Sequence, residues 1–203
     1  MKIYEMSVLP NCQRVSLFLK EIGVEVARVE INVRQGDNLN SDYQRKSVNG
    51  KVPMLELDDG TTISESLAIC SYFDESVKND KALFGTGAKE KAQVEMWQRI
   101  VEFQGLQMVS FAFRHIKAIY QDRENCVAAW GEEAKQRAVS FLSQLNDRLA
   151  ESEYIAGDRF TVADITAFVF FGMAHNAMEI PVEHHPYLLR WQQMIAARPA
   201  FQK

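Results

Sequence analysis

The spacing of apolar positions changes near residue 80. Before it, residues 2–5 (KIYE) and 26–31 (VARVEI) are short runs rich in β-branched and aromatic side chains, which suit strands. Between them Val15, Leu17, Phe18, Leu19 and Ile22 recur at helical spacing, and Gly23 follows where a helix would stop. A strand, a helix and a second strand imply a parallel pair with a right-handed crossover. Residues 54–57 (MLEL) and 61–63 (TTI), joined by Asp58-Asp59-Gly60, read as a hairpin with turn residues that tolerate positive φ. Helical spacing returns over 65–76 through Leu67, Ile69, Tyr72 and Phe73.

This order predicts a thioredoxin-like α/β domain over residues 1–80. Residues 81–88 (KALFGTGA) carry two glycines and read as a linker. From 89 to 203 strand signals nearly vanish, which predicts an all-helical bundle. Val94, Trp97, Val101, Leu106, Met108, Val109 and Phe113 predict one long helix over 89–120, with Gly105 as a bend. Ala138, Phe141, Leu142, Leu145 and Leu149 predict a second over 132–150. Thr161 is an expected N-cap, with Asp164 at the third position as its acidic partner. His185-Pro186 opens a last helix that ends near Arg198-Pro199.

Composition adds mainly exclusions. Of 203 residues 47% are apolar and 25% charged, an ordinary balance for a globular protein. The net charge of −4, with basic residues scattered, offers no electrostatic reason to expect nucleic acid or an anionic membrane as partner. Residues 165–174 (ITAFVFFGMA) are too few to span a bilayer and read as a buried helix. The N-terminus reads as a strand rather than a leader peptide. Cys12, Cys70 and Cys126 are odd in number and widely spaced, which argues against a disulfide framework or a zinc site. No metal is expected from His115, His175, His184 or His185, and a cytoplasmic location is.

Three segments of the first domain carry the chemistry. Residues 8–15 (VLPNCQRV) lie where the first strand meets the first helix, and a helix start offers free N–H groups and partial positive charge to an anion such as a thiolate. Residues 49–55 (NGKVPML) place a proline just before a strand, where a cis bond would expose the main chain of Val52 to an extended peptide. Residues 63–67 (ISESL) place Glu65 and Ser66 at a second helix start, suited to a carboxylate. Two anion sites with a peptide-like groove between them match a short peptide with terminal carboxylates and a central thiol.

The spacing of VLPNCQRV, GKVPMLEL and SESLAI, followed later by YIAGDRFTVADI, resembles the cytosolic, bacterial-type glutathione S-transferase superfamily over essentially the whole chain. The resemblance implies that Val52, before cis-Pro53, binds the cysteinyl backbone of glutathione, and that Glu65 and Ser66 bind its γ-glutamyl end. It places the glycyl carboxylate on Lys51 and Asn38. It implies a second-substrate pocket built with the helical domain, for which Leu9, Phe103, Phe111, Phe113 and Arg114 are candidates. It also implies a homodimer with residues 89–120 at its interface, and a small electrophile or disulfide as the other substrate.

One departure matters. Aligned on the arginine and valine that follow, the position where many classes carry a catalytic serine or cysteine is Leu9, which can neither donate to a thiolate nor attack. Leu9-Pro10-Asn11-Cys12 looks like a glutaredoxin-type C-P-x-C that has lost its first cysteine. Asn11 resembles the asparagine that nu-class members place beside the sulfur, although it also suits a helix N-cap. Cys12 is a buried resolving-type cysteine or a redox partner, and Ser7 could reach the site from the strand end. The expected activity is glutathione transfer to an electrophile, disulfide or peroxide. The alternatives are disulfide reductase or peroxidase chemistry as the main activity, an isomerase like maleylacetoacetate isomerase, or a regulatory protein like the stringent starvation protein.

Overall fold

A computed structural model describes residues 1–202; Lys203, the last residue of the expected helical domain, lies outside them. The chain divides into two compact units, Met1–Ala82 and Leu83 onward.

The first unit is a four-stranded sheet in the order β2-β1-β3-β4, with β1 Lys2–Glu5, β2 Ala27–Glu30, β3 Met54–Glu56 and β4 Thr62–Ser64. β1 runs parallel to β2, with Ile3 opposite Arg28. β3 is antiparallel to both β1 and β4, with Leu55 opposite Ile3 on one side and Ile63 on the other. Helix α1 (Pro10–Ile22) makes the crossover and buries Val15, Phe18 and Leu19. It ends at Gly23, whose φ of 71° lets Val24 N–H close back on the Leu19 carbonyl. Helix α3 (Ser66–Ser76) packs beside α1 through Ile69 and Phe73. Strand alternation sends Tyr4, Val29 and Met54 to the opposite face, where Tyr43 of the short helix α2 (Ser41–Lys46) and Ile31 cover them.

The second unit is helical throughout: α4 Gly87–Ile100, α5 Gln107–Lys117, α6 Ala128–Glu151, α7 Val162–Gly172 and α8 Pro186–Ala196. The long helix expected over 89–120 runs without interruption from Gly87 to Lys117, and where a bend is expected at Gly105 it carries a wide π-type stretch over Val101–Leu106 between α4 and α5. The reason lies at Gly105. A Cβ there would stand 2.9 Å from the Phe141 ring and 3.1 Å from Phe170, so the missing side chain admits both rings. α6 starts four residues earlier than its apolar pattern indicates. α7 is apolar on nearly every side and is buried, as its composition predicts. Thr161 and Asp164 form the expected capping box. Asp164 also accepts from Ile155 N–H and from the indole Nε1 of Trp191, both at 2.9 Å, so one buried carboxylate ties three segments together. Leu83, within the stretch read as a linker, is buried and accepts from Val162 N–H at 3.0 Å. It therefore belongs to the framework of the helical unit.

Candidate functional site

The candidate site is built in the first unit, from the start of α1, the loop before β3 and the start of α3.

The N-cap of α1 is Leu9, in extended conformation, and Pro10 takes the first helical position. Asn11 is thus not the N-cap; it stands one position inside the helix. Leu9 N–H is satisfied by the Met6 carbonyl and Gln13 N–H by that of Leu9, while Pro10 has no N–H at all. The donors that remain at this helix start are the main-chain N–H groups of Asn11 and Cys12. The Asn11 side chain is exposed, and its Oδ1 accepts from Nη1 of Arg14 at 3.2 Å.

Cys12 does not present a reactive thiol. It is fully buried, and burial pushes its pKa up to about 12, opposed by a backbone hydrogen bond from Met6 and reinforced by the charges of Glu5 and Glu30. The expectation of a redox partner meets that obstacle: a neutral, enclosed sulfur is neither nucleophile nor accessible leaving group. Ser7 sits in the exposed turn before α1, held by its N–H to Glu30 Oε1 at 3.3 Å.

In the second segment the Val52–Pro53 bond is cis. β3 begins at Met54, so the main chain of Val52 lies outside the ladder, while its side chain packs on the cluster of Ile31, Tyr43 and Met54. The loop is held from several directions. Tyr43 Oη donates to the Lys51 carbonyl at 2.7 Å, and the Asn38 amide donates to the Gly50 carbonyl at 2.8 Å. Asn38 is largely buried and supports this loop, a different task from the carboxylate contact expected of it. Lys51 is exposed, and its N–H is bound by Asn49 Oδ1 at 3.1 Å.

In the third segment Glu65 is the N-cap of α3 at φ 72° and ψ 121°, a region that costs a non-glycine residue about 1–3 kcal/mol. Its carboxylate accepts from Asn49 Nδ2 at 2.9 Å. Ser66 follows, buried at the first helical position. One turn along α3, Cys70 is buried with its thiol raised to about 12 by desolvation, partly offset by the charge of Arg14. The two helices therefore meet near Arg14.

Nothing along the chain marks Asn49 as a site residue, although it ties the Val52 loop to Glu65. The Asn49-Gly50 pair reads only as a turn. That Asn49 faces another segment is settled by tertiary contact. Tyr43 is likewise silent in sequence.

Phe111, Arg114 and Phe103 have partners within the helical unit. Phe111 packs on Trp130, and Arg114 is paired with Glu124 (Nε to Oε2 2.9 Å) and lies over the Tyr120 ring. Phe113 is half-buried, whereas Phe103 is half-exposed beneath the Arg99 guanidinium. Among the described residues no group of three His, Cys, Asp or Glu side chains could hold a metal ion, and no helix is long and apolar enough to cross a membrane.

Residues 10–76 match the family model for the N-terminal domain of glutathione S-transferases, and residues 128–193 match that for the C-terminal domain. The chain is 55% identical to a class Gtt2 glutathione S-transferase of Vibrio parahaemolyticus, with a TM-score of 0.90 over 100% of this chain and 96% of that one. A glutathione S-transferase domain-containing protein of Marinobacter aquaeolei is 38% identical, with a TM-score of 0.95 and full coverage of both chains. Glutathione S-transferase 2 of Saccharomyces cerevisiae is 32% identical, over 100% of this chain and 88% of its own length. The Vibrio relative carries the class name Gtt2; the nu-class likeness concerns only the run around Asn11.

Proposed function

Because the chain belongs to the glutathione S-transferase superfamily, we propose that it binds glutathione along the edge formed by Val52, Glu65 and Ser66, and activates the thiol at the start of α1. The main chain of Val52 pairs with the cysteinyl residue as an added strand would. Ser66, at the start of α3, takes the γ-glutamyl carboxylate with its N–H and hydroxyl. Lys51 offers its charge to the glycyl carboxylate. The observation that carries this reading is the Asn49 bridge, which joins the Val52 loop to Glu65.

The Leu9 side chain has no polar atom, so the thiolate is stabilised by Asn11 and the main chain. A free thiol has a pKa near about 8.5. A helix start contributes roughly 0.3–1 kcal/mol, and a hydrogen bond to a charged sulfur about 1.5–3 kcal/mol. At about 1.36 kcal/mol per unit, these lower the pKa by roughly one to three units before desolvation is subtracted. A thiolate at neutral pH is within reach without a hydroxyl at residue 9. The thiolate then forms a thioether by displacing the leaving group of an electrophilic carbon, a mixed disulfide by releasing a thiolate from a disulfide, or a sulfenic acid by cleaving the O–O bond of a peroxide and releasing the alcohol.

Calorimetric titration with reduced glutathione tests the reading; absence of both binding heat and thermal stabilisation would refute it. Turnover of an aryl halide, a small disulfide and an organic peroxide then ranks conjugation against exchange and reduction. The same reading carries the expectation of a cytoplasmic homodimer, and sedimentation velocity checks the dimer.

A further inference from the structure

Arg14 is the buried cation next to the proposed thiolate site. It lies on α1 one turn after Asn11, is only 3% exposed, and holds Asn11 Oδ1 at 3.2 Å. A guanidinium has donors and no acceptor. Whatever faces it from the Asn11 amide must be the oxygen, which leaves the NH₂ end turned away from the helix body. A carboxamide free in water presents either end; here chemistry selects one. Among the described residues no group accepts from Asn11 Nδ2, and Asn11 belongs to the same helix start as the main-chain N–H groups of Asn11 and Cys12 that α1 leaves over.

We infer that Arg14 is a positioning residue, which locks the Asn11 carboxamide with its nitrogen toward the glutathione sulfur. This rests on the reading of Asn11 as a donor to that sulfur. Arg14 itself touches neither sulfur nor substrate. It removes the cost of orienting the amide when the thiolate forms, and so favours the charged form of the bound thiol without favouring glutathione as such. A lysine at the same place would also select the oxygen, because an ammonium has donors only.

The test is an ultraviolet titration of enzyme-bound glutathione in wild type, Asn11→Ala, Arg14→Met, the double variant and Arg14→Lys, with glutathione affinity measured in each. Asn11→Ala and Arg14→Met should each raise the thiol pKa by about one unit, a roughly ten-fold fall in the thiolate-to-thiol ratio at a given pH. Affinity measured well below the pKa of the bound thiol should change little. The double variant should go no further than either single one, and Arg14→Lys should recover most of the shift. A merely structural Arg14 would lower stability and leave the pKa at the wild-type value, or add its effect to that of Asn11→Ala; either result overturns the inference. If Asn11→Ala itself does nothing, the donor role falls and Arg14 with it. Loss of all glutathione binding in the wild type would instead refute the functional reading.

A second measurement needs no variant. The side-chain amide resonances of Asn11 in isotope-labelled protein should move with glutathione and much less with its S-methyl derivative, which cannot form a thiolate. Equal shifts with both would also overturn the inference.

Discussion

Replacing Asp164 with alanine withdraws a fully buried carboxylate from four donors at once: Ile155 N–H and Trp191 Nε1 on Oδ1, and Thr161 N–H and its hydroxyl on Oδ2. The hydroxyl can rotate to another acceptor. The three N–H donors cannot, and each buried donor left unmet costs about 1–3 kcal/mol. Against that stands relief of the charge itself, since burial pushes the Asp164 pKa above the usual carboxylate range while these hydrogen bonds pull it down. The net loss expected is about 3–5 kcal/mol, the scale on which a buried charged network fails when one member is removed. For a chain of this size that corresponds to roughly 6–20 °C in melting temperature. Urea unfolding measures the loss, and the indole N–H resonance of Trp191 reports whether the local bond has gone. Asp164→Asn keeps the shape and one acceptor, so its loss should be smaller. A destabilisation below about 1 kcal/mol in the alanine variant, with the Trp191 resonance shifted, would show that the network is not what holds the start of α7.

Other outcomes follow from the same geometry. Ser66→Ala should weaken glutathione binding by about 1–3 kcal/mol through loss of a hydrogen bond to a charged group, read by calorimetry; unchanged affinity would remove Ser66 from the site. Hydrogen bonds from Arg159 and Thr86 lower the Glu90 pKa to about 2. A folded pKa below the unfolded one stabilises fully above about pH 4.5, and that contribution is lost as pH falls toward 2. Glu90→Gln should therefore be less stable than wild type at neutral pH and converge with it in acid; a constant difference across that range would contradict the pairing. Cys12 and Cys70 are buried with pKa values near 12, whereas Cys126 is partly exposed. A thiol reagent should titrate one cysteine in the native protein and three in denaturant, and rapid labelling of Cys12 would reopen its redox role.

The strands, the crossover helix and the hairpin are legible in the sequence because their signals are local. The β-branched and aromatic runs at 2–5 and 26–31, helical spacing from Val15 to Ile22, and the Asp58-Asp59-Gly60 turn each need only neighbours in the chain. Thr161 and Asp164 are legible for the same reason, being three residues apart. A bend at Gly105 is legible too, but not that it takes the form of a wide π-type stretch between α4 and α5. The apolar period runs on through Val101 and Leu106, and the wide turn exists because two aromatic rings arriving from α6 and α7 need the space at Gly105.

Chemistry at the candidate site divides along the same line. The chain by itself supplied a donor-rich helix start, a proline ahead of a strand and an acid-serine pair at a second helix, since each is a statement about residue type and local backbone. Only the folded unit decided that Asn49 links the second of these to the third, that Asn38 serves the loop from within, and that Cys12 is shut away as a neutral thiol. Burial and long-range hydrogen bonding are properties of what surrounds an atom. No pattern along the chain contains that neighbourhood until packing brings distant residues together.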